Sequence, residues 1–495
     1  MRLAELLPGA KIPAGLTERD VSAIVCDSRL ATPGSAFFAV PGVRADGLDF
    51  APQALRQGAV AVVAEAGGTT PIDKAALIEV ADVRAALAMA SARLYPRQPE
   101  TIVAITGTSG KTSVASFTRQ IWAALGLPAA SLGTLGLVAP DGSAYGALTT
   151  PDPISLHRTL DDLSRRGVTH LALEASSHGI VQRRLDGVRL SAGAFTNLSR
   201  DHLDYHATME AYLAAKLELF ERLLEPGQSA VVDADSEAAE QVLAACAARG
   251  LRVFSTGVKG ASLKLLRAEP DAIATRLEIA YEGEIFKLKL PLVGAFQTSN
   301  ALVAAGLCIV TGATPALVLA ALEALEGAPG RLERVGERRG APVYVDYAHK
   351  PDALDKVLRT LRPYVRGKLV VAFGCGGDRD AGKRPIMGEI ASRLADVVIV
   401  TDDNPRSEDA TAIRRAILAG TARGAAEIHE IGDRARAIRE AIASLAPGDV
   451  LLIAGKGHET GQIIGDAILP FSDSECASRA LRDAALKDAA LKDNA

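Results

Sequence analysis

The sequence lacks the features that mark several large classes of protein. Aromatic residues make up only 4% of its 495 residues, with one tryptophan, so platforms for stacking nucleic-acid bases are not expected. Acidic residues outnumber lysine and arginine, and the formal net charge of −4 argues against a general binder of nucleic acid or membrane surfaces. No run approaches the ~20 apolar residues of a membrane-spanning helix. We therefore expect neither a nucleic-acid partner nor a membrane span.

Cysteine is also scarce, and its pattern argues against a disulfide framework. The five cysteines are scattered, odd in number and without the spacing of metal ligands. This is typical of small buried side chains in a reducing compartment. Near the N-terminus, Arg2 and Glu5 interrupt the apolar core that a signal peptide would need. These observations predict a cytoplasmic protein.

The clearest chemistry lies in a glycine loop between a strand pattern and a helix pattern. The apolar run Ile102–Ile105 predicts a buried parallel strand, and residues 107–113 read Gly-Thr-Ser-Gly-Lys-Thr-Ser before a helical pattern. In such a loop, backbone N–H groups bind phosphate, Lys111 adds charge, and Thr112 can place a hydroxyl on Mg²⁺. Ile105 stands where the strict P-loop pattern has its first glycine, so this loop is a shorter form. A tight turn without a ligand is the alternative.

The length and the order of patterns predict an α/β protein of roughly three domains. We place these domains at residues 1–98, 99–330 and 331–495, with boundaries near the proline-containing segments 96–100 and 328–330. Strand patterns alternate with helix patterns in the second and third, which predicts a central doubly wound P-loop-type sheet and a C-terminal Rossmann-like α/β domain. Residues 262–292 instead predict antiparallel strands.

Polar side chains follow two further strands of the predicted central sheet. Glu174 ends the run Leu171–Glu174 and His202 follows the strand near Phe195. Because parallel strands end at one edge of a sheet, both side chains are candidates for a Mg²⁺ site beside the phosphate loop. A capping or ion-paired carboxylate and a structural histidine remain the alternatives. Lys216 lies in a helix pattern, where an ordinary surface lysine is the default interpretation.

Four strands of the last domain also end in glycines or charged residues. These ends are Asp346–His349, Gly374–Arg384, Asp402–Arg406 and Gly455–Glu459. The strand-end rule predicts that they line one crevice, and ordinary turns are the alternative. Arginine beside a glycine-rich loop suits a carboxylate or a phosphate, and a glutamate there suits an amino group.

Taken together, these motifs resemble those of the Mur ligases, in order and over nearly the whole chain. The resemblance rests on the phosphate loop, on Glu174-Ala-Ser-Ser-His178, on residues 196–206, on Asn300, on Asp346-Tyr-Ala-His349 and on Asp403-Asn-Pro-Arg406. It implies ATP-dependent amide ligation through an acyl phosphate, with Mg²⁺. The implied substrates are UDP-N-acetylmuramoyl-L-alanyl-D-glutamate and meso-2,6-diaminopimelate, since Asn404-Pro-Arg406 resembles the signature of the diaminopimelate-adding members. We also expect a monomer.

The resemblance implies roles residue by residue. Lys111, Glu174, His202 and Lys216 would be catalytic, and Lys216 would carry a carbamate as N6-carboxylysine. Mg²⁺ would be held by Thr112, Glu174, His202 and the modified Lys216. ATP would contact Gly107, Thr108, Ser109, Gly110, Lys111, Thr112, Ser113, Asn300, Arg331, Asp346 and His349. The UDP-muramoyl peptide would contact Ser28, Thr149, Thr150, Ser176, Gln182 and Arg184. Diaminopimelate would contact Arg379, Asp403, Asn404, Arg406, Gly455 and Glu459.

Three other functions remain open at the level of sequence. The first is the same ligase acting on L-lysine. Arg406 argues against it, because an arginine makes no favourable contact with the ammonium of a lysine substrate. The second is a ligase similar to folylpolyglutamate synthase, which shares the phosphate loop and the amide chemistry. The third is a nucleotide-gated binding protein without catalysis. Amino-acid specificity, dependence on the UDP-muramoyl substrate and phosphate release distinguish them.

Overall fold

The computed structural model describes residues 1–42, 45–67, 74–146, 148–201 and 205–493. By its internal contacts the chain divides into two compact units. The first contains Met1–Thr256 and Val303–Thr314, and the second contains Gly257–Leu302 and Pro315–Ala495. Across the described residues, no helix combines the length and the apolar composition needed to cross a membrane.

The first unit begins with a small sheet of four parallel strands in the order β1-β2-β3-β4. Its strand β4 was not predicted, because only Ile78 of its four residues is buried and the apolar signal is weak. The elements are α1 (Leu3–Leu6), β1 (Ala23–Val25), β2 (Ser35–Phe38), α2 (Ala51–Arg56), β3 (Ala61–Glu65), β4 (Leu77–Val80) and α3 (Val83–Leu94).

The same unit then builds a larger sheet in the order β12-β11-β10-β5-β9-β6-β7-β8. The strands from β12 to β6 are parallel, and β7 and β8 are antiparallel. The elements are β5 (Thr101–Thr106), α4 (Lys111–Ala124), β6 (Ala129–Gly133), β7 (Gly136–Ala139), β8 (Gly142–Ala144), α5 (Pro153–Arg165), β9 (His170–Glu174), α6 (Ser177–Val181), β10 (Ala192–Phe195), α7 (Met209–Glu218), β11 (Ser229–Asp233), α8 (Ala239–Arg249) and β12 (Arg252–Gly257).

The register of this sheet brings three strand ends together. Ile105 of β5 pairs with Glu174 of β9, and Thr106 pairs with Phe195 of β10. The three strands are almost wholly buried, as expected for parallel strands covered on both faces. The phosphate loop therefore leaves the sheet beside the end of β9, as the strand-end rule predicts.

The second unit opens with three antiparallel strands, one more than the sequence indicated. The missed strand β13 carries alternating charged and apolar residues and ends in a proline-containing stretch, so its apolar signal is low. These elements are β13 (Leu263–Asp271), β14 (Ala274–Tyr281) and β15 (Glu284–Leu290). The helix α9 (Ala295–Val310) follows and contains one of the points at which the chain passes between the two units.

The rest of the second unit is a six-stranded sheet in the order β16-β17-β21-β18-β19-β20. Its strands are parallel except for β16, and the ends Asp346, Phe373, Val400 and Ala454 share one edge. The elements are α10 (Pro315–Ala321), β16 (Glu333–Arg338), β17 (Ala341–Asp346), α11 (Pro351–Leu361), β18 (Leu369–Phe373), α12 (Lys383–Leu394), β19 (Val397–Val400), α13 (Ala410–Gly420), β20 (Glu427–Glu430), α14 (Arg434–Ser444), β21 (Val450–Ala454), β22 (Gly461–Ile464), β23 (Ala467–Pro470) and α15 (Asp473–Asp493).

Candidate active site

The phosphate loop connects β5 to α4, and its two glycines are required by its shape. Gly107 has φ +140° and Gly110 has φ +88°, both in the region that favours glycine. A Cβ atom on Gly107 would also collide with the Thr196 hydroxyl. Gly110 caps the N-terminus of α4, where free backbone N–H groups and the helix dipole favour an anion.

The segment after β10 fixes the conformation of this loop. The backbone N–H of Thr108 donates to the Asn197 carbonyl at 2.8 Å, and that of Ser109 donates to Asn197 Oδ1 at 3.0 Å. In return, Thr196 Oγ1 donates to the Ser109 carbonyl at 2.6 Å. These three hydrogen bonds hold the loop against the segment that follows β10.

Two lysines share the carbonyl oxygen of Gly107. Lys111 Nζ donates to it at 2.9 Å and Lys216 Nζ at 2.8 Å. Lys216 is only 1% exposed, and its nitrogen lies 4.1 Å from the centre of the Tyr212 ring. Burial, followed by the charge of Lys111, lowers the pKa of Lys216 to about 6, while Asp201 opposes the shift. At neutral pH its amine is therefore mainly neutral.

Glu174 is buried at the end of β9 and is surrounded by hydroxyl and amide donors. Its Oε2 accepts from Thr112 Oγ1 and Thr134 Oγ1, both at 3.2 Å, and its Oε1 accepts from the Thr134 N–H at 2.8 Å. A carboxylate and a hydroxyl beside a phosphate loop are the hard oxygen ligands that Mg²⁺ prefers. Among the described residues no group of three histidine, cysteine or acidic side chains has metal-binding geometry, and His202 lies outside them.

A second group of polar side chains adjoins Glu174. Thr150 Oγ1 donates to the Glu174 carbonyl at 2.8 Å and lies 3.1 Å from Ser176 Oγ. Arg184 donates to the Thr150 carbonyl at 2.6 Å and to Gln182 Oε1 at 2.7 Å. Thr149 is connected to the same group through Thr134, because the two hydroxyl oxygens lie 3.1 Å apart. The five residues predicted to bind the muramoyl peptide in this part of the chain therefore form one network with Glu174.

Ser28 belongs to a different cluster of the first unit. It is buried after β1, and its hydroxyl donates to Gln53 Oε1 at 3.0 Å. Burial of a hydroxyl with a glutamine partner satisfies both groups. The structure thus links Ser28 to the N-terminal sheet.

The residues predicted to complete the nucleotide site gather in the second unit. Asn300 donates to Gln297 Oε1 at 3.2 Å, and Gln297 donates to the Arg331 carbonyl at 2.9 Å. The Arg331 guanidinium stacks over Tyr347, 5.0 Å from the ring centre. Tyr347 in turn lies 4.5 Å from the His349 ring. Aromatic, amide and guanidinium groups of this kind suit a nucleotide base and its phosphates.

Asp346 ends β17 beneath these residues. Its carboxylate accepts from the N–H groups of Leu332 at 2.7 Å and Ala348 at 2.8 Å. Burial raises the pKa of Asp346 to about 6, although Arg331 and the two N–H groups oppose the shift. Burial also lowers the pKa of His349, and Lys383 and Lys350 add to that effect. These effects favour the neutral form of the His349 ring over its charged form.

The predicted amino-acid crevice is centred on Asn404 and Glu459. Asn404 Nδ2 donates to Glu459 Oε2 at 2.8 Å. Arg406 has φ +52° and donates from Nη1 to the Gly377 carbonyl at 2.7 Å. A Cβ atom on Gly455 would lie 2.6 Å from Asp403 Oδ2, so the Asp403 carboxylate packs directly against the backbone that follows β21. Arg379 is exposed and donates to the carbonyl of Asp378.

Comparison with known proteins places the chain in a family. Residues 20–95 match the Mur ligase family, catalytic domain; residues 105–308 match the Mur ligase middle domain; residues 330–457 match the Mur ligase, glutamate ligase domain. A protein of Bradyrhizobium diazoefficiens is 57% identical over 487 residues, which cover 97% of this chain and 99% of that protein. It is named UDP-N-acetylmuramoyl-L-alanyl-D-glutamate–2,6-diaminopimelate ligase.

The chain belongs to the Mur ligase family.

Solved structures agree with this assignment. A structure of a UDP-N-acetylmuramoyl-L-alanyl-D-glutamate–2,6-diaminopimelate ligase has a TM-score of 0.75 and 32% identity, and covers 98% of this chain and 99% of that chain. The MurF ligase of Thermotoga maritima, solved in complex with ADP, has a TM-score of 0.60 and 19% identity over 95% of this chain and 99% of that one. The second likeness concerns the fold alone. The predicted family and α/β fold are confirmed.

Some residues of this Mur ligase site were not singled out from the sequence. Thr134 follows the short strand β6, whose small residues gave no strand signal, yet it makes two hydrogen bonds to Glu174. Asn197 organises the phosphate loop and was quoted only as part of a motif. Lys456 is wholly buried beside Asn404 and Glu459. In the sequence, only its position between two glycines at the end of a strand could have indicated a role for Lys456.

Proposed function

We propose that this chain is an ATP-dependent ligase that joins meso-2,6-diaminopimelate to UDP-N-acetylmuramoyl-L-alanyl-D-glutamate in the synthesis of the peptidoglycan precursor. The observation that carries the proposal is the 57% identity over 97% of the chain to a relative with that named activity. The phosphate loop, the buried Glu174 and the polar side chains around Asn404 supply the chemistry that such a reaction needs.

The first step is phosphoryl transfer. An oxygen of the D-glutamyl side-chain carboxylate attacks the γ-phosphorus of ATP, the bond to the bridging oxygen breaks, and ADP leaves. The N–H groups of the loop and the Lys111 ammonium bind and stabilise the negative charge on the phosphates. The network of Thr150, Ser176 and Arg184 orients the muramoyl peptide so that its carboxylate faces the γ-phosphate.

The second step forms the amide bond. The free amine of diaminopimelate attacks the acyl-phosphate carbonyl, loses a proton, and the tetrahedral intermediate expels inorganic phosphate. Arg406 and Arg379 bind the distal carboxylate, and Glu459 binds the distal ammonium. We also assign Asn300, Arg331, Asp346 and His349 to nucleotide binding.

Mg²⁺ fits the oxygen donors of Thr112 and Glu174, and we include His202 and modified Lys216 in its site. When bound, the ion neutralises charge on the phosphates.

The environment of Lys216 supports its modification to a carbamate: a neutral amine adds to the carbon of CO₂ and releases one proton to give a carbamate. Burial and the low pKa of this lysine supply that neutral amine. The carbamate replaces this neutral amine with an anionic group whose oxygen atoms can bind Mg²⁺.

The proposal also covers the organisation of the chain. Residues 1–98, including Ser28, bind the uridine end of the substrate, residues 99–330 bind ATP, and residues 331–495 bind the amino acid. We further propose that the protein is a cytoplasmic monomer.

Phosphate release measured with each substrate omitted in turn tests the function. We expect release only when ATP, the UDP-muramoyl dipeptide and diaminopimelate are all present, with a product mass equal to that of the tripeptide. Release that depends on folate and not on the UDP-muramoyl substrate would favour a folylpolyglutamate-synthase-like enzyme. ATP binding without phosphate release from the complete mixture would favour a binding protein.

A further inference from the structure

Lys456 is a wholly buried lysine that has no role in the reaction described above. It follows β21 within Gly455-Lys456-Gly457, and its side chain is 0% exposed. Its Nζ donates to Asn404 Oδ1 at 2.9 Å and to Glu459 Oε2 at 3.0 Å. Burial of an ammonium is costly unless acceptors compensate it. Both acceptors here are residues of the proposed amino-acid crevice.

The backbone on either side of Lys456 is tightly confined. Gly455 has φ +114° and Gly457 has φ +55°. A Cβ atom on Gly455 would lie 2.6 Å from Asp403 Oδ2, and one on Gly457 would lie 2.8 to 2.9 Å from atoms of Tyr347. Side chains are therefore excluded at both neighbours. The backbone that carries Lys456 therefore has a fixed conformation, which limits the positions that its ammonium can reach.

The hydrogen bonds determine the orientation of the Asn404 amide. Its oxygen accepts from Lys456 Nζ and from the N–H of Ile463 at 3.0 Å, so its nitrogen must face Glu459. The donors from Asn404 and Lys456 both reach Oε2 of Glu459. The Glu459 side chain is 29% exposed, so it is not enclosed as Lys456 is.

We propose that Lys456 is a positioning residue that holds Glu459, through Oε2, so that Oε1 accepts a hydrogen bond from the distal ammonium of diaminopimelate. This inference rests on the function proposed above. Lys456 does not touch the substrate, because its side chain is enclosed and directed to Asn404 and Glu459. It fixes the direction in which the Glu459 carboxylate points.

The test compares two amino acids that differ by one amino group. L-2-Aminopimelate keeps the distal carboxylate of diaminopimelate but lacks its distal ammonium. In the variant Lys456→Met, we expect the KM for diaminopimelate to rise about tenfold to a hundredfold, the range for loss of a hydrogen bond to a charged group. We expect the KM for ATP and the apparent affinity for 2-aminopimelate to change less than about threefold. A role in folding alone would affect both amino acids equally.

Lys368→Met is the matched control, because Lys368 makes an exposed ion pair with Glu427 in the same unit. It should leave all these constants unchanged. If Lys456→Met does not fold, Lys456→Gln takes its place, because the glutamine side chain is polar but shorter and uncharged. That variant should also lose most of the preference for diaminopimelate over 2-aminopimelate. Retention of the wild-type preference for diaminopimelate in either folded variant would overturn the inference.

The wild-type enzyme separates this inference from the proposed function. Absence of diaminopimelate ligation by the wild type would refute the function and the inference together. Normal ligation by the wild type, with equal losses for both amino acids in Lys456→Met, would refute the positioning role alone.

Discussion

At the scale of single residues, the two lysines that meet at Gly107 are placed for different tasks. Lys111 belongs to the phosphate loop and also donates to the Thr108 carbonyl at 2.9 Å. Lys216 comes from α7 and is enclosed, and its pKa of about 6 removes its charge at neutral pH. Two ammonium groups on one carbonyl would repel each other. A neutral Lys216 relieves that repulsion while Lys111 keeps the charge that phosphate binding needs.

Replacement of Lys111 by alanine should nearly abolish turnover. The substitution removes the charge that stabilises the phosphates during transfer, so we expect kcat to fall by at least about a hundredfold. Steady-state phosphate release measures the effect, and an unchanged thermal unfolding midpoint serves as the folding control. Activity close to that of the wild type would refute the assignment of this loop to phosphate transfer.

The low pKa of Lys216 makes stability depend on pH. Between about 6 and 10.5 the folded protein has a neutral Lys216 while the unfolded chain has a protonated one. The unfolded state then binds the extra proton, so stability rises with pH, by up to about 1.4 kcal/mol per pH unit. In CO₂-free buffer, the free energy of unfolding of the wild type relative to Lys216→Met should therefore increase from pH 7 to pH 9. A difference that does not change with pH would contradict the low pKa.

Arg406 offers a test of the amino-acid crevice. Its guanidinium is suited to the distal carboxylate of diaminopimelate by paired hydrogen bonds. Arg406→Ala should raise the KM for diaminopimelate at least about tenfold, with little effect on the KM for ATP. Arg406→Lys has the same backbone strain from a positive φ but keeps a positive charge. Its KM for diaminopimelate should lie between those of the wild type and Arg406→Ala. Equal changes in both KM values would argue against this role.

At the scale of elements, the phosphate loop depends on close contact with the end of β10. Gly107→Ala would place a methyl group against the Thr196 hydroxyl, so it should displace the loop and greatly weaken ATP binding, measured by calorimetry. Gly126→Ala is the control, because Gly126 also has a positive φ of +77° but nothing within 4 Å of its added Cβ. That variant should lose about 1 kcal/mol of stability and keep its affinity for ATP. Equal ATP affinity in both variants would refute the loop contact.

The elements also show which parts of the site the sequence could predict. β-Branched runs such as those of β5 and β18 bury every interior residue, so their pattern is strong and their ends, where Gly107 and Gly374 follow, were found correctly. Partners that depend on register were not found. Thr134 reaches Glu174 only because β6 pairs beside β9, and nothing local in the sequence encodes that pairing.

At the scale of the whole molecule, local signals predicted elements better than they predicted compact units. The proline-containing segment 96–100 marks a change of element, but the buried Gln98 bonds to the Gly187 carbonyl and to the N–H of Arg189 within the first unit. The chain passes between the units at the last residue of β12, inside α9 and at the start of α10. The dividing point inside α9 has no turn signal in the sequence, because contacts between distant segments decide it. The two boundaries between the three predicted domains remain a prediction.

The central claim is that the last part of the chain selects diaminopimelate for ligation to the UDP-muramoyl dipeptide. The most direct measurement gives the enzyme ATP, the dipeptide and either meso-2,6-diaminopimelate or L-lysine, then compares kcat/KM and the product mass. We expect efficient ligation of diaminopimelate and at least about a hundredfold lower kcat/KM with lysine, which lacks the carboxylate that Arg406 binds. A preference for lysine would contradict the account.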